Sequence, residues 1–195
     1  MGWKRRIGVV FLGAVLFGLT MAVIKGQGAG ARDAFGNISA PWLLLPFVAG
    51  ASSKRLRSAA VTGLVASLAA LVAFYVAESR ILDLGVHPWP VDLRLAVTAG
   101  QTYMATALIS GPLFGLLGGI WLRRRSLLAA ATVAAMFVLE PIAAWGVEHA
   151  QGHVASTGLL TQYPWMWIGE MLLGVMGGAL LVSVSRRPTS AHSAT

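Results

Sequence analysis

Two glutamates stand inside otherwise uncharged apolar stretches, Glu140 in AAMFVLEPIAAWG and Glu170 in WMWIGEMLLGVMGG. A charged side chain at a bilayer centre costs about 2.5–3.5 kcal/mol on insertion scales, so such acids face a protein interior and mark a site or an interhelical bond. A pair of them suits recognition of a cationic or amine-bearing solute, a proton relay, or hydrogen bonding to Gln101 or a threonine. Thr98, Gln101, Thr102, Thr106 and Ser110 recur at spacings of three and four. That spacing places them along one side of a helix, and a polar stripe faces protein or water, not lipid. In EHAQGH, His149 and His153 stand at i and i+4 beside Glu148. A helix continuing through them would offer two imidazoles and an acid to a divalent metal, whereas a stop at Gly152 would leave them as loop residues. HExxH, GxSxG, Walker and dinucleotide-binding patterns are absent, and so is cysteine, which removes thiolate chemistry and disulfides. No cofactor is implied.

The elements that hold these residues are membrane helices. Of 195 residues, 56% are hydrophobic and 11% charged, with a mean hydropathy of +0.72; soluble domains carry about a quarter charged residues. The net charge of +8 would suggest nucleic acid in a soluble protein. Here the basic residues punctuate apolar runs, which is how orientation signals are arranged, so no nucleic-acid partner is expected.

Five runs reach the roughly 20 residues that span a hydrocarbon core of about 30 Å: Ile7 to Ile24, Ser58 to Ala77, Ala96 to Leu122, Ser126 to Val147 and Trp165 to Ser185. A shorter run, Pro41 to Ala51, contains Pro46 and would be either a span or a re-entrant loop. Charge separates the two. With a spanning second helix and a cytoplasmic N-terminus, eleven Lys and Arg lie inside and four outside; a re-entrant loop gives five inside and ten outside. The positive-inside rule favours the first. The expected fold is all-α, a polytopic six-transmembrane-helix bundle with a short proline-containing second helix and both termini cytoplasmic. The expected location is a bacterial plasma (inner) membrane. Residues 1–187 form its single domain and 188–195 a disordered cytoplasmic tail. The first run, with about 18 apolar residues, exceeds the h-region of a signal peptide and is expected to stay uncleaved.

At about 1.5 Å per residue, Glu140 and Glu170 fall roughly 8–11 Å beneath the outer interface. Thr98 to Thr102, Thr20 and Tyr75 share that layer. Pro141 frees a carbonyl near Phe137. Glycines at 8, 13, 18, 111, 115, 118, 119, 174, 177 and 178 suit close helix packing in the inner half. Polar above and tight below describes a pocket open to the outside, with Glu140 and Glu170 recognising the solute and Gln101, Thr98 and Thr102 orienting it. The competing class is an accessory subunit, partnered with a transporter or other membrane protein, in which the glutamates only join helices. A membrane enzyme acting on a lipid-linked substrate is a third, weakened by the lack of a nucleophile motif.

The stretches GNISAPWLLLPFVAGA and SGPLFGLLGGIWLRRR resemble small integral membrane proteins of high-GC actinobacteria grouped as a domain-of-unknown-function family. More distantly, six helices and the element Gly111, Pro112, Gly115 and Gly119 are similar to substrate-binding components of energy-coupling factor vitamin transporters. That likeness implies a solute-binding bundle, though the element lies in the fourth helix here instead of near the start of the chain.

Overall fold

The computed structural model describes residues 3–26, 30–36, 38–81, 87–150 and 163–186. Regular structure among them is entirely helical: α1 (Trp3–Lys25), α2 (Gly30–Gly36), α3 (Ala40–Ala51), α4 (Leu56–Ile81), α5 (Trp89–Ala99), α6 (Gln101–Arg124), α7 (Leu127–Ala150) and α8 (Pro164–Arg186). Four helical stretches are long and apolar enough to cross a membrane: Arg5–Lys25 in α1, the whole of α4 and α6, and Pro164–Val184 in α8. Their outer faces expose Leu16, Val23, Ile109, Leu173 and Leu180. Such faces are a liability in water and neutral against lipid tails, so the chain is built for a bilayer. The shorter apolar helices are α3 and the Leu127–Ala143 part of α7. With 12 residues, α3 covers about 18 Å, short of a full crossing.

The central helix is α4, which packs against α1, α3, α5 and α6. It buries Ala59, Gly63, Ala66 and Ala70, and so lets its neighbours approach closely. A tight junction joins three helices at Gly115 of α6. A Cβ on Gly50 of α3 would overlap the Gly115 carbonyl, and one on Gly63 of α4 would overlap the Gly111 carbonyl. Close approach does not extend to every glycine of the sequence pattern, because Gly8, Gly13 and Gly177 face open space.

Along α8, Met166, Glu170, Gly174 and Gly178 recur every four residues and form one face. Gly174 meets Phe137 and Gly178 meets Ala134, so that face lies on α7. Met166 also packs with Ile38 and Ala40, and Phe47, Phe114 and Val133 form a second cluster. These two clusters tie the α7–α8 pair to α3 and α6.

Two connections that the sequence presents as loops contain helices. Gly26, at φ +65°, ends α1 in the left-handed region. The Arg32 guanidinium from α2 then donates to the Ile24 carbonyl at 3.0 Å and to the Val23 carbonyl. It supplies both hydrogen bonds and positive charge where α1 has unpaired carbonyls. Farther on, Pro88 is extended and Pro90 lies in the first turn of α5, a position at which a missing N–H costs nothing. Trp89 is stacked by Arg80 at 4.1 Å and donates to Ser79 Oγ at 3.2 Å.

The run from Ala96 to Leu122 is not one helix. It breaks at Gly100, which is buried and pressed by the Tyr75 ring, leaving no room for a Cβ. The third outer connection, 151–162, and the tail 188–195 lie outside the described residues.

Candidate functional site

Beside the Gly100 break a cavity of about 730 Å³ opens between α3, α4, α5 and α6. That volume falls within the range of about 300–1,000 Å³ typical of small-molecule sites. One wall is the α4 face carrying Ser67, Leu71, Phe74, Tyr75 and Glu78. Its first and last members are eleven residues apart, so the wall runs roughly 17 Å along the helix. Thr102, Thr106 and Ser110, each four residues on, bring α6 into the lining. The Thr106 hydroxyl donates to the Thr102 carbonyl at 2.9 Å, so its hydrogen is already used within the helix.

Aromatic rings stiffen the third side. Phe17, Trp42, Phe74 and Tyr75 form a chain of edge-to-face contacts with centroids 5.2–5.3 Å apart, a geometry favoured by the ring quadrupoles. Above them, Lys25 of α1 donates to Glu78 Oε1 at 2.6 Å, and its ammonium sits 5.5 Å from the Phe74 centroid. The side chains are 20% and 9% exposed respectively. This ion pair is absent from the sequence reading, which leaves both residues in outer connections. A signal was available: the first and third apolar runs both end on the outer side, in charges of opposite sign.

The intramembrane acids occupy a different place. Glu140 accepts the backbone N–H of Ser39 at 2.6 Å and of Ala40 at 2.7 Å, which puts its carboxylate at the N-terminus of α3. Glu170 is 4% exposed and lies beside Glu140. Neither of its oxygens meets a hydrogen-bond donor among the described residues. The two glutamates do come together, as their shared depth implies. Neither belongs to the cavity lining, but Ser39, held by Glu140, does.

Of the remaining predicted site residues, Tyr75 and Thr102 line the cavity, and so do Thr106 and Ser110 from the same stripe. Thr98 and Gln101 flank the Gly100 break with exposed side chains and are not in the lining. Thr20 is exposed and donates to the Leu16 carbonyl of its own helix at 2.8 Å. No group of three metal-ligating side chains occurs among the described residues. The side chains of Glu148 and His149, and the whole of His153, lie outside them, although the α7 backbone continues to Ala150.

The cavity therefore pairs an apolar, aromatic shaft with charge at one end, an arrangement able to hold an amphipathic molecule. No curated protein matches the chain, and no solved structure matches it. One family model matches residues 1–195 from end to end, and the chain belongs to that family, DUF6518, a family of unknown function.

Proposed function

We propose that this protein binds a small amphipathic solute in the cavity between α3, α4, α5 and α6, as a transport or solute-capture component of a bacterial plasma membrane. The observation that carries this reading is the cavity itself, about 730 Å³ with a polar end at Lys25 and Glu78. It adjoins the shortest of the apolar helices that make up the bundle, and α3 falls about eight residues short of a span. A helix interrupted or shortened in this way commonly borders a solute site. In this reading α3 and α7 complete a six-span bundle with cytoplasmic termini, and the cavity opens outward. Tyr75 and Thr102 contact the solute. Glu140 fixes the start of α3, and with it Ser39 and Trp42 in the cavity wall.

The test is thermal stability of the protein in lipid nanodiscs across a library of small amphipathic solutes, since a ligand that binds only the folded state raises the melting temperature. Ala107→Trp would fill the cavity from α6 and remove the response. Leu172→Trp, on the exposed face of α8, would retain it. Equal responses in the two variants would defeat the assignment.

The accessory-subunit reading draws on one observation, the use of Glu140 as a helix cap. It predicts a stable partner in mild detergent and no ligand response in any variant.

A further inference from the structure

Charge within the cavity wall is unequal. Lys25 and Glu78 satisfy one another at 2.6 Å. A third charge, Asp92 in the first turn of α5, also lines the cavity, and among the described residues no second lysine or arginine does. Among the described residues its ion-pair partner is His87, 3.5 Å away through Nδ1, half-exposed and charged only when protonated. The Asp92 side chain is 20% exposed, so water screens it only in part. Counted over the described lining alone, which does not include His87, the wall carries two carboxylates and one cation.

From that imbalance we infer that the solute is an amphipathic cation, an amine or ammonium head with an apolar body, and that Asp92 is its counter-ion. The inference rests on the cavity being the binding site. A cation placed at Asp92 leaves the Lys25–Glu78 pair intact. An anion would have to displace Glu78 from Lys25 and would then face two unpaired carboxylates. Tyr103, an exposed aromatic residue, is also part of the lining, and an aromatic ring attracts a cation in a way that it does not attract a neutral group. The Phe74 ring is already taken by Lys25. Below the charged end, Leu71, Leu95 and Ala107 line the shaft. The head therefore lies at the level of the helix ends and the body points toward the bilayer middle, the same order of polarity as in a lipid leaflet.

The experiment compares decylamine, decanol and decanoate on the full chain in phosphatidylcholine nanodiscs, reading melting temperature and apparent affinity, with Asp92→Asn alongside. The expected result is stabilisation by decylamine, with affinity reduced roughly tenfold or more in Asp92→Asn, in line with loss of a charged hydrogen bond. Decanol would bind weakly and equally to both proteins. If decanol and decylamine act alike on wild type and variant, the cation assignment falls while the cavity assignment stands. Preference for decanoate would overturn it in favour of Lys25 as the recognition group. Should none of the three shift the wild type, the cation assignment is also overturned, and the Ala107→Trp comparison with the wider library decides the cavity separately. Poor folding of Asp92→Asn is met with Asp92→Glu, which keeps the charge and is expected to keep the preference for decylamine over decanol.

Discussion

Glu140 closes the start of α3 from 100 residues along the chain, its carboxylate accepting the Ala40 backbone N–H at 2.7 Å. The same group takes the Ser39 N–H at 2.6 Å. The first turn of a helix has donors without intrahelical acceptors, and inside a bundle water is not there to take them. The side chain of Ser39, at the N-cap, makes no capping bond, and Pro41 has no N–H to satisfy. A carboxylate from another helix meets both remaining needs and places negative charge at the positive end of the α3 dipole.

Glu140→Gln should therefore destabilise the protein by about 1–2 kcal/mol, because a carboxamide accepts one amide well and turns its NH₂ toward the other. Thr132→Ala, which removes only a hydroxyl bonded to its own helix, should change stability by less than about 0.5 kcal/mol. Thermal or denaturant unfolding in detergent checks both. A loss in Glu140→Gln no larger than that in Thr132→Ala would remove the capping role.

The Lys25–Glu78 pair predicts strong non-additivity. Lys25→Met leaves a carboxylate that is 9% exposed with no lysine, and breaking a buried pair in this way costs about 3–5 kcal/mol. Partial exposure of Lys25 argues for the low end of that range. Adding Glu78→Gln to Lys25→Met should recover much of the loss, since no uncompensated charge then remains. A double-mutant cycle on unfolding free energy measures the coupling, and additive losses would mean that the pair is held no better than a surface ion pair.

Packing at the helix break gives a third expectation. In Gly100→Ala the new methyl would collide with the Tyr75 ring, and overpacking of this kind costs about 1–3 kcal/mol. In a Tyr75→Leu background the same change should cost much less, because the ring is gone. Melting temperatures of the four proteins suffice to test it, and an undiminished cost would place the strain in the Gly100 backbone instead.

Runs of apolar residues made the long helices legible, and the shared depth of Glu140 and Glu170 was legible from residue counting alone. Their role was not, because a carboxylate caps a helix through backbone amides, and backbone donors leave no mark in sequence. The spacing of the polar stripe predicts one face. Gly100 divides it, keeping Thr102, Thr106 and Ser110 at the cavity while Thr98 and Gln101 stay outside the lining. Glycine is common enough in membrane helices that one at position 100 does not announce a break; what makes it one is Tyr75, 25 residues away on α4. Nothing in the sequence marks Asp92 and Glu78 as cavity residues, since helix ends and loops have the same composition at a membrane interface.

The Lys25–Glu78 contact also bears on topology. Lys25 ends α1, and Glu78 lies in the last turn of α4. A distance of 2.6 Å between their side chains requires both helices to end on the same side. Were the α3 segment re-entrant, α1 and α4 would run in opposite directions and the two charges would sit about 30 Å apart across the bilayer. Parallel α1 and α4 fit the proposed six-span arrangement, in which α3 with its flanks returns the chain across the membrane. In the proposed six-span arrangement the basic residues distribute eleven to four in favour of the N-terminal side, so the positive-inside rule predicts that this side faces the cytoplasm. Because the chain has no cysteine, single cysteines report position without background. In right-side-out spheroplasts a membrane-impermeant maleimide should label Val91→Cys directly. Ser52→Cys and Arg124→Cys should be labelled only after the membrane is opened. Direct labelling of Ser52→Cys with protection of Val91→Cys would be the pattern of a re-entrant α3 and would break the parallel arrangement that the ion pair requires.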